Sequence, residues 1–481
     1  MEEKRIGLGS VIATGVGLVV ASSCLLTLGI GAGSIGTPFI ITMAIACLVN
    51  IFTLLSIAEL NALMPNLTGG LAQFSLACVG PFVTIICMVG GYILCNSLAG
   101  SVEGAVFGNA FAEMFAGSGI PAWVFTVVLI AFLVITNLNG VDVFIKVQDF
   151  VAYALIFSLV AMGIMGALGI GTGEIVEQPQ ALATDFQSVT GLCGIAFFLF
   201  VGGEYVVPLN KNCKNAKRDI PLGMVISMLI ILGMQSFLTL GFKNYTQWDE
   251  LAGSTTPQMF YGQALLGPFG RYWMLAITLL AAISSVNTIL GSLAYILMGM
   301  SKIGLLPEFF QKTNKKGAPY VGILLEMAIF VGLNITGLSS TDSISYMISV
   351  LAVLWLISYM VSNLNVILLR RRLPDAPRTF KTPLGYTIPI LGFLGSAYMI
   401  YSIDPSWEVK LSLYKVVLIT LIALGIYSFI WVKTRVKRPL FKPYAIKEVM
   451  AMEHELYLKY HGRKGRAEKK VEESSDKRMI S

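Results

Sequence analysis

The chain has 481 residues, of which 56% are hydrophobic and only 13% charged, with a mean hydropathy of +0.76. A water-soluble domain carries about 25% charged residues, so this composition excludes a soluble protein and points to one bundle of helices in a lipid bilayer. The net charge of +7 follows from the sidedness of the basic residues and requires no nucleic-acid partner.

Apolar runs long enough to cross a bilayer, about 20 residues each, follow one another almost to the end. They predict about twelve spans, near 11–35, 39–63, 82–111, 122–140, 146–170, 190–208, 219–242, 269–301, 319–338, 343–369, 386–403 and 411–432. The first apolar stretch, after Met-Glu-Glu-Lys-Arg, is too long for the core of a cleavable signal peptide and reads as a retained span. The third, eighth and tenth runs are long, which predicts tilt or extension beyond the bilayer. The seven cysteines fall mostly inside apolar segments without metal-ligand spacing, and are expected as free thiols.

With the N-terminus inside, all of the 34 Lys and Arg except Lys243, Arg271, Lys410 and Lys415 fall on the cytoplasmic side. This is the asymmetry of the positive-inside rule, and it places both termini in the cytoplasm of a cell-membrane protein. From about residue 435 to 481 the chain turns charged and apolar-poor, and is read as a solvated tail, with Glu448 to Tyr460 as a candidate surface helix.

Catalysis finds no support. Both histidines, His454 and His461, lie in the tail, and the sequence has no nucleophile–base cluster, phosphate loop or metal-ligand spacing. A non-enzymatic protein without cofactor or metal is expected.

Two spans are broken at their middles. In the first, Val20-Ala21-Ser22-Ser23-Cys24 precedes Gly29-Ile30-Gly31-Ala32-Gly33; in the sixth, Phe197 to Phe200 runs into Val201-Gly202-Gly203-Glu204, with Pro208 beyond. Unwound backbone at mid-bilayer is tolerated only where it lines a cavity or is buried in protein, and interrupted spans at matching positions of two halves mark transporter sites. Free N–H groups suit a carboxylate and free carbonyls an ammonium; a zwitterion offers both. Gly29, Gly33 and Gly36 are read as close-packing positions, whereas Gly202-Gly203 is read as functional because an acid accompanies it. A carboxylate at mid-membrane must be paired, protonated or solvated, so Glu204 is read as proton carrier, amine partner or conformational latch, against a fixed cap of backbone groups. Glu103 and Glu326 are weaker candidates, and Glu59 lies near a cytoplasmic end.

Three stretches resemble the amino acid–polyamine–organocation superfamily of permeases. They are Phe198-Leu-Phe-Val-Gly-Gly-Glu204 continuing to Asn215-Ala-Lys-Arg-Asp-Ile-Pro221; Ser284-Ser285-Val-Asn287 with Lys302-Ile-Gly-Leu-Leu-Pro307; and Glu59-Leu-Asn-Ala-Leu-Met-Pro65 with Gly69-Gly70 and Gly80-Pro81-Phe82, taken as the loop between spans two and three. The resemblance implies an all-α, LeuT-type five-plus-five inverted repeat with broken helices 1 and 6: repeat one about 11–170, repeat two about 190–370, extra helices about 386–432. Residues 1–434 would be the transporter domain and 435–481 the tail. It further implies Ser22, Ser23, Cys24 and Leu25 at the substrate carboxylate, Phe198 as an aromatic lid, Val201 and Gly202 near the amine, and Cys95, Ala99 and Ile289 around the side chain.

The chain departs from the family pattern where Ser22-Ser23-Cys24 replaces a glycine-rich triplet, where no lysine stands near Ala154 or Leu155, and where the arginine common in span eight is missing near Tyr295. Ser284 and Ser285 supply the paired hydroxyls used by sodium-coupled relatives, or else bond back to their own helix. The expected function is alternating-access transport of an amino acid, coupled to H+ through Glu204, to Na+ through Ser284 and Ser285, or to a counter-substrate, with proton coupling or exchange placed first. The alternatives are a polyamine or amine permease, a sodium-coupled symporter and, in a different class, a non-transporting amino acid sensor.

Overall fold

The computed structural model describes residues 7–65, 71–115, 117–139, 142–178, 185–337 and 341–452. Gly69, Gly70, His454, His461 and the tail beyond 452 lie outside them. All regular structure among the described residues is helical, and the chain opens with α1 Leu8–Val19, α2 Ser22–Ile35, α3 Phe39–Leu63, α4 Leu71–Met88, a π-helical turn Val89–Leu94, α5 Cys95–Met114, α6 Ala122–Asn139, α7 Asp142–Leu168, α8 Phe186–Thr190 and α9 Cys193–Phe198. After a 3-10 segment Gly203–Asn212 come α10 Ala216–Tyr245, α11 Trp248–Gly253, α12 Pro257–Lys302, α13 Tyr320–Ile335, α14 Thr341–Arg372, α15 Thr387–Tyr401 and α16 Trp407–Trp431.

Eight helical stretches are long and apolar enough to cross a membrane, and α1 with α2 makes a ninth as one span bent by 66°. Three further apolar helices, 153–168, α13 and α15, are shorter. Their outward faces are greasy: Phe132, Phe157, Ile419 and Ile422 are more than half exposed, a surface that water disfavours and lipid accepts. The helices thus form a multi-pass membrane protein, with α16 at its rim.

Close helix approach explains the first glycine cluster. A Cβ on Gly33 would stand 2.6 Å from the backbone nitrogen of Ala252 and 2.7 Å from the carbonyl oxygen of Trp248, and one on Gly29 would overlap the Pro257 ring. Gly29 and Gly33 therefore let α2 lie against α11 and the start of α12, and Gly36, with φ +71, closes α2. The only break in this span is at Val20–Ala21, both in extended conformation.

Gly80-Pro81-Phe82 is a kink inside α4, not a loop. Gly80 adopts φ +79, a region costly for other residues, and the helix resumes at Pro81, which needs no N–H donor there. The groups released by the kink are taken up elsewhere: the Phe82 N–H donates to the Leu440 carbonyl (3.1 Å) and Arg372 donates to the Cys78 carbonyl (3.0 Å). The chain after α16 consequently runs across α4, where the Tyr444 N–H donates to the Leu76 carbonyl and Tyr444 and Val449 are buried. Residues 446–452 are helical. The first part of the segment read as a solvated tail is docked.

Candidate functional site

The two breaks face each other across one cavity of about 270 Å3. Its walls come from the ends of α1 and α2, from α5, from the turn after α9, from α12 and from α14. Ser23, Cys24, Ala99, Phe198, Val201, Ser284, Ser285 and Ile289, all singled out in the sequence, line it. Among the described residues neither Ser284 nor Ser285 bonds back to its own helix, so both hydroxyls front the cavity.

Ser22, Leu25, Cys95, Gly202 and Glu204 do not line it. Leu25 is buried in the core. The Cys95 thiol is directed at the carbonyls of Gly90 (3.4 Å) and Leu351 (3.3 Å), so it packs toward α14. Gly202 is part of the break itself, with φ +109, where a side chain would be strained. The second break is thus real, and the conformation it needs explains its glycine.

Glu204 is buried and held by α14: the Tyr359 hydroxyl donates to Oε2 at 2.6 Å and the Trp355 indole N–H reaches Oε1 at 3.3 Å. The acid fastens the unwound segment after α9 to α14, and only Trp355 of this trio reaches the cavity wall.

The groups that sequence reasoning ranked low or missed are polar. Glu103, 2% exposed, turns its carboxylate to the start of α2. The Ser22 N–H donates to Oε2 at 3.1 Å, the Ser23 N–H donates to Oε1 at 3.0 Å, and each serine hydroxyl donates to the same oxygen as its own N–H. A helix N-terminus with two unspent N–H groups is an anion site; here the anion is a side chain of the protein. On the adjoining wall the Tyr205 hydroxyl donates to Asn96 Oδ1 at 2.6 Å, and Asn96 Nδ2 donates to the Tyr92 carbonyl. The only sequence sign of this network was the spacing of Asn96, Ala99 and Glu103 along one helix face.

Glu59 and Glu326 lie elsewhere. Glu326 is fully buried on α13 near Ser97 of α5, away from the cavity. Glu59, expected in a water-accessible helix end, is instead buried in a two-point ion pair with Arg370 (2.8 and 2.5 Å), with Arg378 at 3.3 Å and the Thr382 N–H at 2.8 Å. Tyr295 is exposed and off the site, while Leu155 is buried in the apolar core. Among the described residues no group of His, Cys, Asp and Glu is placed to hold a metal ion, and all seven cysteines are free thiols.

A search of solved structures finds the same fold in a point mutant of the manganese transporter of Eremococcus coleocola, at 12% identity and a TM-score of 0.53, covering 88% of this chain and 95% of that one. Among curated proteins, the branched-chain amino acid permease BcaP of Bacillus subtilis is 23% identical over 452 residues, covering 89% of this chain and 93% of its own. The putrescine transporter PotE of Haemophilus influenzae is 22% identical, covering 77% and 84%. The family model described as amino acid permease matches residues 6–426, and the chain belongs to that family of membrane transport proteins.

Proposed function

We propose that this protein is a secondary transporter of the cell membrane that carries an amino acid or an amine by alternating access, with the central cavity as its substrate site. The observation that carries the reading is the convergence of two mid-span helix breaks, Val20–Ala21 and Leu199–Gly202, on one cavity. Backbone polar groups opened in apolar surroundings are costly unless they serve a buried ligand or partner. The named permeases for branched-chain amino acids, putrescine and asparagine support this substrate range.

In this reading the eight long stretches, the bent pair and the three shorter helices make twelve spans: a five-plus-five inverted repeat over about 11–170 and 190–370, then α15 and α16. Both termini are cytoplasmic, and the chain at Leu440 and Tyr444 leans on α4. Ser23 and Cys24 border the substrate at one break and Val201 at the other, with Phe198 as lid and Ala99 and Ile289 beside the side chain. Glu204 acts as a latch between the second break and α14, releasing it when the site changes access. Coupling runs by proton or exchange; sodium coupling would use the hydroxyls of Ser284 and Ser285.

Uptake of radiolabelled amino acids and amines into proteoliposomes tests this, with a proton gradient, a sodium gradient, or internal substrate alone. Accumulation under one of these drives establishes transport and names the coupling. Binding of a ligand without movement under every condition would replace the transporter with a sensor.

A further inference from the structure

The anion cradle at the start of α2 is occupied from within. Each oxygen of the Glu103 carboxylate receives one backbone N–H and one hydroxyl from Ser22 and Ser23, and four donors fill about the four lone-pair positions that a carboxylate has. The cradle belongs to a fourteen-residue helix, whose positive end favours a negative charge. Glu103 also borders the central cavity, so the cradle and the substrate space are continuous.

The surroundings add no cation. Among the described residues no Lys, Arg or His pairs with Glu103, and none lines the cavity. Glu204 on the facing break is tied to α14 and stands behind the cavity wall. Across the break, the carbonyl-bearing end of α1 reaches the same space at Gly17 and Val19 and carries a partial negative charge. The positive end of α2 is thus satisfied by the protein, while the negative end of α1 and the Glu103 carboxylate border the space that a substrate enters.

A zwitterionic amino acid would bring its carboxylate to a place already taken by another carboxylate, and like charges at such range in a low-dielectric site repel strongly. An amine without a carboxylate meets only attraction, with the hydroxyls of Ser284 and Ser285 and the apolar faces of Ala99 and Ile289 around its body. Resting on the transporter reading, we propose that Glu103 is the specificity-determining residue: its carboxylate stands in for a substrate carboxylate at the start of α2, and the site selects small amines over the amino acids from which they differ by that one group.

Matched pairs test this on the full-length protein purified in detergent: ethylamine against alanine, isobutylamine against valine, isoamylamine against leucine, and putrescine against ornithine, with binding measured calorimetrically. In the wild type, at least one amine is expected to bind ten times or more tighter than its amino acid. Glu103→Ala empties the cradle and is expected to bring a tenfold gain for the amino acid and a tenfold loss for the amine. Glu103→Gln keeps the cradle filled without charge and is expected to weaken the amine, with a smaller gain for the amino acid than Glu103→Ala gives. Should Glu103→Ala fail to elute as a single folded species, the wild-type pairs and Glu103→Gln decide. Wild-type binding of an amino acid as tight as or tighter than its amine, or an unchanged preference in both variants, overturns the role of Glu103 and leaves the transporter reading standing. Failure of every pair to bind or to move in proteoliposomes overturns both.

Discussion

The buried pair of Glu59 and Arg370 offers the most direct energetic test of the fold. It joins the end of α3 to the end of α14 across 311 positions of sequence. Arg370 also donates to the Thr382 carbonyl at 3.0 Å, so the segment after α14 is fastened at the same point. The Arg370 and Glu59 side chains are only 5% and 2% exposed, so salt screens the pair little. Arg370→Met removes two charge-assisted hydrogen bonds from Glu59 and leaves it Arg378 and the Thr382 N–H. Breaking a buried pair from one side costs about 3–5 kcal/mol, and the remaining partners hold the expected cost to about 3 kcal/mol. Glu59→Gln strands the guanidinium and is expected to cost a similar amount. The double variant removes both orphaned groups, so its cost should fall short of the sum of the singles by about 2 kcal/mol or more. Unfolding in mixed micelles, monitored by tryptophan fluorescence for all four proteins, measures that coupling. Strict additivity would refute the reasoning, since it would mean that the two side chains do not feel each other.

Other substitutions probe the remaining joints. Tyr359→Phe deletes the 2.6 Å hydrogen bond to Glu204 and should lower stability by about 0.5–1.5 kcal/mol, the net worth of a typical hydrogen bond, measured in the same unfolding assay. Gly33→Ala forces a methyl into the backbone of α11 and should cost about 1–3 kcal/mol by overpacking, whereas Gly9→Ala, with open space around it, should be neutral or slightly stabilising. Truncation after Val436 should lower the melting temperature by removing the segment that pairs with Phe82 and Leu76. Truncation after Met452 spares that segment and should lower the melting temperature less, and equal losses from the two would contradict the docking.

How far the sequence could be read depended on how local each cause was. The second break was visible because a glycine pair and an acid interrupt an apolar run, and Gly202 indeed needs its left-handed backbone. The first break was visible only in part. Glycine serves both unwinding and close approach, and nothing within residues 20–33 distinguishes Val20–Ala21, which opens the helix, from Gly29–Gly33, which meets α11 and Pro257. Glu59 was misjudged because its partner lies 311 residues away, and Glu103 was ranked low because its donors lie some 80 residues upstream.

Cys95 shows a subtler limit. A regular helix through the third span brings Cys95 and Ala99 to one face, four residues apart. Both lie in α5, after the π-helical turn Val89–Leu94, but at about 100° per residue Cys95 sits about 40° to one side of Ala99, with Glu103 and Asn96 about 40° and 60° to the other. The turn coincides with a tight helix crossing: a Cβ on Gly91 would collide with the Ser358 hydroxyl and the Leu354 carbonyl of α14. The crossing fixes which side of α5 meets α14. Cys95 therefore points its thiol at Leu351, and Asn96, Ala99 and Glu103 take the cavity face. The step of about 100° between Cys95 and Asn96 separates the side of α5 that meets α14, more than 250 positions away, from the side that lines the cavity with an amide and a carboxylate.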